Sequence, residues 1–256
     1  MVPETETFTL LKNEGFLMQG CFKSSLRGLL QAPSGEPGPF YSAFFNYAIG
    51  LERLLKVLLM LDRWHDERKF PDNIQLRKYG HNVAMLHEHV LKLFPKYDIV
   101  WNNEWELDAI NKDLLNFLSD FASGSRYFNL DQLVGSSNHG GNPIYRWQRL
   151  FYKAYAHDHP TADPVVTKPD VPEDTMSTSQ LARHHVIMMA TRPHICWRLV
   201  QFLIPLQSLL IAVCEQIHKD DFALDGTDGD PSVPFMEDFL DFVCENKTVL
   251  ESENWP

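Results

Sequence analysis

Residues 41–64, YSAFFNYAIGLERLLKVLLMLDRW, carry the strongest periodicity in the chain. Phe44, Tyr47, Ala48, Leu51, Leu54, Leu55, Leu58 and Leu61 recur at steps of three and four, while Asn46, Gly50, Arg53 and Lys56 fall on a narrower opposite stripe. That spacing describes a core helix with a thin wet edge, because a strand would alternate at every second residue. Ahead of it, PSGEPGP at 33–39 punctuates the chain. Beyond it, Pro71-Asp72-Asn73 breaks the pattern, and a second helix is predicted from about Gly80 to Pro95 through Leu86, Val90 and Leu93. A third is predicted to start near Asn102-Asn103 and to stop at Ser123-Gly124-Ser125, and a fourth to run from Ile144 to His157. Residues 177–218 read as helix again, interrupted near Arg192-Pro193 and bent near Pro205, and Phe235 to Cys244 as a short terminal helix. No segment alternates as a strand with hairpin turns, so the predicted fold class is all-α: a helical bundle with additional C-terminal helices.

The expected organisation is an N-terminal segment (1–40), a helical core (41–157), a Pro/Asp-rich linker (158–176), further helices packing on the core (177–218) and an acidic tail with a short helix (219–256). With 256 residues, 44% of them hydrophobic, a core of this kind needs neither disulfides nor a structural metal. Cys21, Cys196, Cys214 and Cys244 form no CxxC pair and read as reduced, mostly buried thiols. The most apolar stretch, 195–217, contains Arg198, Gln201, Pro205, Gln207 and Glu215, so it is expected not to span a membrane. The N-terminus places acids before any apolar run and shows no export signal, so a cytoplasmic location is expected.

The formal charge of -11 is unevenly spread. Residues 215–256 hold twelve acids against Lys219 and Lys247, leaving 21 bases and 22 acids in residues 1–214. An acidic molecule repels nucleic-acid phosphate, so any RNA contact has to come from a local basic patch in the first part. The acidic tail reads as a solvated helix on a linker, or as a regulatory arm.

Several residues could carry chemistry. Glu52 and Lys56 lie one turn apart on the polar edge of a buried helix, where charge is costly without a partner and a cleft is expected. Arg77, Lys78 and His81 precede the second helix, whose positive end attracts anions, although His81 or Asn82 also reads as its N-cap. In Arg126-Tyr127-Phe128-Asn129 an arginine and an amide beside two aromatics suit a phosphate and a base, while Arg126 alone reads as a partner of the preceding helix's carbonyls. The histidine doublets lack an HExxH arrangement, Asp225 to Asp230 fails EF-hand spacing, and no metal site is expected. P-loop, dinucleotide and nucleophile-elbow motifs do not occur, and no cofactor is expected.

Taken together, Glu52-x3-Lys56 on an apolar helix, KYGHN at 78–82 and RYFN at 126–129 resemble the HEPN domains over about residues 40–157. The resemblance implies a small helical bundle, often dimeric, and in many members a metal-independent endoribonuclease of toxin–antitoxin or antiphage systems. It implies that Glu52 and Lys56 match the family's Glu-x3-Lys element, and that Arg126 matches the arginine of its Arg-x4-6-His motif. No arginine here has a histidine five to seven positions later, so the base would be His139 or His157 reaching in from elsewhere. On this reading Arg126 stabilises phosphate charge, Glu52 and Lys56 organise the site, and Tyr127, Asn129, Arg77, Lys78 and His81 bind RNA. The partners expected are RNA and either a second copy or another protein. The alternative is a non-catalytic helical subunit acting through dimerisation or docking, and a weaker one is a metal-dependent hydrolase built on the histidine doublets.

Overall fold

The computed structural model describes residues 5–32, 36–100, 102, 105–136, 141–158, 177–225 and 231–243. Among these the regular structure is helical throughout, as the periodicity predicts. The central element is α2 (Pro37–Glu67), which begins on its prolines, where a missing N–H costs nothing, and ends at Arg68 in the left-handed region.

The first helix, α1 (Glu6–Gln31), lies against α2. Thr5 caps it by accepting from the Phe8 N–H, and Leu11, Met18, Phe22, Leu26 and Leu29 form its buried face. The N-terminal segment defined from sequence is therefore largely one helix. Its last turn holds no basic residue; Arg192, buried on a later helix, donates to the carbonyls of Leu30 and Ala32 instead.

After α2 comes the short α3 (Asn73–Lys78), closed by a reciprocal capping box between Asp72 and Gln75. The second predicted helix is α4 (Val83–Leu91), followed by a 3-10 turn at Phe94–Tyr97. Asn82 is its cap, accepting from the Met85 N–H and from Ser119 Oγ. The third, α5 (Ala109–Ser123), starts later than Asn102-Asn103 because the Asp108 carboxylate accepts the Asn111 N–H. A 3-10 turn at Ser125–Tyr127 leads into α6 (Phe128–Leu133), and α7 (Pro143–Asp158) follows. Phe44, Phe117, Phe121 and Trp147 interlock α2, α5 and α7, with Phe44 and Trp147 ring centroids 4.5 Å apart.

The last long helix, α8 (Thr178–Asp225), runs unbroken through Pro193, where the sequence predicts an interruption, and contains Pro205, where it predicts a bend. A proline interrupts one bond of the ladder, and burial holds the rest: Ile195, Cys196, Leu199, Val200, Phe202 and Leu203 between the two prolines, and Leu206 just after the second, are all buried. Tyr47 Oη donates to the Leu199 carbonyl at 2.6 Å, tying α2 to α8 inside the core. Residues 185–223 are long and apolar enough to cross a membrane by composition, and 61% of the most apolar window is buried within the fold. Cys196 and Cys214 are buried, and burial pushes both thiols up to about 12; with the half-buried Cys21 they are free.

In place of the predicted terminal helix, residues 231–243 form a strap with a 3-10 turn at Met236–Leu240. Phe239 sits over Gly15 of α1, Gln207 of α8 donates to the Leu240 carbonyl, and Asp241 pairs with Lys23 at 3.1 Å. Acids of the C-terminal part are thus engaged as well as solvated, since Asp221 also meets Arg68 at 2.5 Å and Asp220 lies 3.3 Å from His65.

Candidate functional site

The wet edge of α2 opens onto a cleft of about 540 Å³. Phe45, Ile49, Val57, Met60 and Leu76 give it an apolar floor, and its polar rim is Glu14, Glu52, Arg53, Lys56, His81 and Arg126. Glu52, Lys56, His81 and Arg126, which the sequence singled out from three separate stretches, therefore share one cavity. Each arrives by a different local device.

Glu52 and Lys56 stand one turn apart, with Lys56 Nζ 2.7 Å from Glu52 Oε1 and both side chains less than a fifth exposed. His81 reaches the same oxygen: its Nδ1 lies 2.9 Å from Glu52 Oε1. The turn that delivers it needs Gly80, whose φ of +61° lies in the left-handed region. With Asn82 serving as the cap of α4, the imidazole is left to face α2. A carboxylate only accepts, so the Nδ1 facing Glu52 carries the proton and Nε2 of the neutral ring is left as an acceptor. The ring is three-quarters exposed.

Arg126 enters from the turn between α5 and α6. Its Nη1 donates to the Ala122 carbonyl, as the sequence allowed, and its guanidinium lies 4.9 Å from the Tyr127 ring centroid and 5.8 Å from that of Phe45. Those contacts hold the cation at the rim. Arg53 and Glu14, which the sequence reading did not select for the site, pair across α2 and α1 at 2.5 Å. Arg53 was legible as a neighbour on the polar stripe; Glu14 depended on recognising α1.

The remaining candidates lie apart from the cleft lining. Arg77 and Lys78 are exposed in the last turn of α3, beside Leu76 of the floor. Tyr127 is half exposed against Arg126, and Asn129 is exposed on α6. His139 lies outside the described residues. His157 belongs to another cluster, its Nδ1 3.3 Å from Arg198 Nη2. Arg198, nearly fully buried, also donates to Asp108 Oδ2 at 2.8 Å and Asn111 Oδ1 at 3.1 Å. Burial pushes the Asp108 carboxyl up, but the Asn111 amide and the Arg198 guanidinium outweigh it and hold the carboxyl below its ordinary value.

A carboxylate orienting an imidazole, an ammonium on the same oxygen and an arginine at the rim can together accept a proton and stabilise negative charge. No protein-family model, characterised protein or solved structure matches the chain.

Proposed function

We propose that this is a cytoplasmic HEPN-like protein that engages RNA and cleaves it without a metal ion, in a toxin or antiphage defence setting, with dimerisation or a protein partner completing the assembly. The single observation that supports the reading is the Glu52–His81 pair in the cleft that also holds Lys56 and Arg126. It answers the missing helical histidine: on this proposal the base is His81, held on Glu52, rather than His139 or His157.

The chemistry follows from the geometry. Glu52 fixes the tautomer of His81, so Nε2 takes the proton of a ribose 2′-hydroxyl as its oxygen attacks the adjacent phosphorus. Arg126 and Lys56 offset the charge that builds on the phosphorane oxygens. The bond to the 5′-oxygen breaks, that oxygen recovers a proton from the imidazolium or from water, and a 2′,3′-cyclic phosphate remains. The apolar floor, with Phe45 at 43% exposure, suits an unstacked base.

The test is incubation of the purified protein with labelled total RNA in excess chelator. Parent protein yields discrete fragments ending in cyclic phosphate. His81→Ala and Arg126→Ala, each with parental helicity, lose about 10²-fold or more of the rate, whereas His157→Ala keeps it. Cleavage that survives His81→Ala sinks the base assignment.

A second reading, the non-catalytic docking subunit, draws support from the α6 region, where Leu130, Leu133 and Val134 are 61%, 83% and 77% exposed. It differs in leaving RNA intact in every lane.

A further inference from the structure

A second cavity, of about 300 Å³, lies between α5 and α7 and shares no lining residue with the cleft. Asp113, Asn116 and Phe117 line it from α5, and Arg146, Arg149 and Lys153 from α7. The three cations stand at steps of three and four, so they occupy one face of α7. Asp113, Asn116 and Asp120 repeat that spacing on α5.

The two rows run antiparallel and pair at their ends. Arg146 Nη2 lies 2.8 Å from Asp120 Oδ2, and Lys153 Nζ lies 2.5 Å from Asp113 Oδ2. The Arg146 guanidinium also lies over the Phe117 ring, 5.6 Å from its centroid. By this register the residue opposite Arg149 is Asn116. A ladder built only for stability would carry a third acid there; it carries a neutral amide instead. Arg149 is exposed and has no acid partner among the described residues. Among the described residues Asp113 is the sole acid lining the cavity, and Lys153 already engages it.

We propose that this cavity is a phosphate-binding site. A tetrahedral oxyanion takes the planar fork of Arg149 in a bidentate manner, the Arg146–Asp120 and Lys153–Asp113 pairs flank it without net charge, and the Asn116 amide supplies a neutral donor. The phosphate belongs either to an RNA strand or to a small phosphate ester; the chemistry recognised is the same. The assignment stands independently of the cleft's proposed activity.

Full-length parent, Arg149→Gln, Asn116→Asp and Arg126→Ala are compared with two probes. Thermal unfolding is followed in inorganic phosphate against chloride of equal ionic strength. Fluorescence anisotropy follows a labelled 15-nucleotide oligouridylate across a range of potassium chloride. The expected result is a rise in Tm with phosphate for parent and Arg126→Ala that Arg149→Gln and Asn116→Asp lose. Asn116→Asp supplies the missing acid and is expected to fold at least as well as the parent. If the source is a strand, Arg149→Gln also weakens oligouridylate binding several-fold and lowers the slope of log affinity against log salt by about 0.7. If it is a small ester, the oligouridylate curves coincide while the phosphate response is lost. A phosphate response absent from the parent, retained by both cavity variants, or lost with Arg126→Ala overturns the proposal.

Discussion

His87 shows how one side chain sets an acid limit on the molecule. It is 4% exposed on the inner face of α4 beside Val83, Leu86 and Val90, and burial lowers its pKa from 6.5 to about 4. Between those values the unfolded chain holds a proton that the folded chain does not. The stability tied to neutral His87 is therefore complete above about pH 6.5 and is lost as pH falls toward 4, a difference of about 3 kcal/mol. Tm measured from pH 7 to pH 4 should fall less steeply for His87→Leu than for the parent; parallel curves would refute the assignment. Residues of the candidate site divide in a similar physical way. Glu52, Lys56 and Arg126 were legible because charge on an otherwise apolar helix, or straight after a helix stop, has to face something. His81 was legible only as an anion contact or a cap, since its approach to Glu52 depends on the left-handed turn at Gly80.

At the scale of the element, the C-terminal strap is fixed by a shape match. Gly15 stands where the spacing of Leu11, Met18 and Phe22 calls for an apolar side chain, and the Phe239 ring fills that place from outside. A Cβ at position 15 would lie 2.2 Å from the ring. Gly15→Val should therefore destabilise by about 1–3 kcal/mol, read as a lower denaturant midpoint, and Phe239→Ala in the same chain should recover part of the loss. No recovery would mean that the strap is held elsewhere. That glycine also disguised α1, whose stripe reads as discontinuous until its partner 224 residues later is known. In α8 the opposite error arises: Pro193 argues for a break locally, and burial on both sides of it outweighs that preference.

For the whole molecule, one contiguous core runs from Leu11 on α1 to Phe242 in the strap and includes side chains of α2, α4, α5, α7 and α8. Chemical unfolding should accordingly give coincident transitions by far-ultraviolet circular dichroism and by tryptophan fluorescence; separated midpoints would show that α8 or the strap melts apart. The all-α class was legible because it rests on periodicity repeated in many segments. The joining of α8 to α1 through Arg192 and to α2 through Tyr47 was not, because those bonds link residues 160 or more and 152 positions apart. The Tyr47–Leu199 bond has a further consequence during synthesis. At ribosomal rates of about 5–20 residues per second, α1 and α2 wait roughly 8–30 s after Tyr47 is made before Leu199 follows it. Throughout that interval Tyr47 lacks the α8 carbonyl that its hydroxyl meets in the folded core, so the nascent chain is most exposed to wrong association before its last long helix leaves the ribosome.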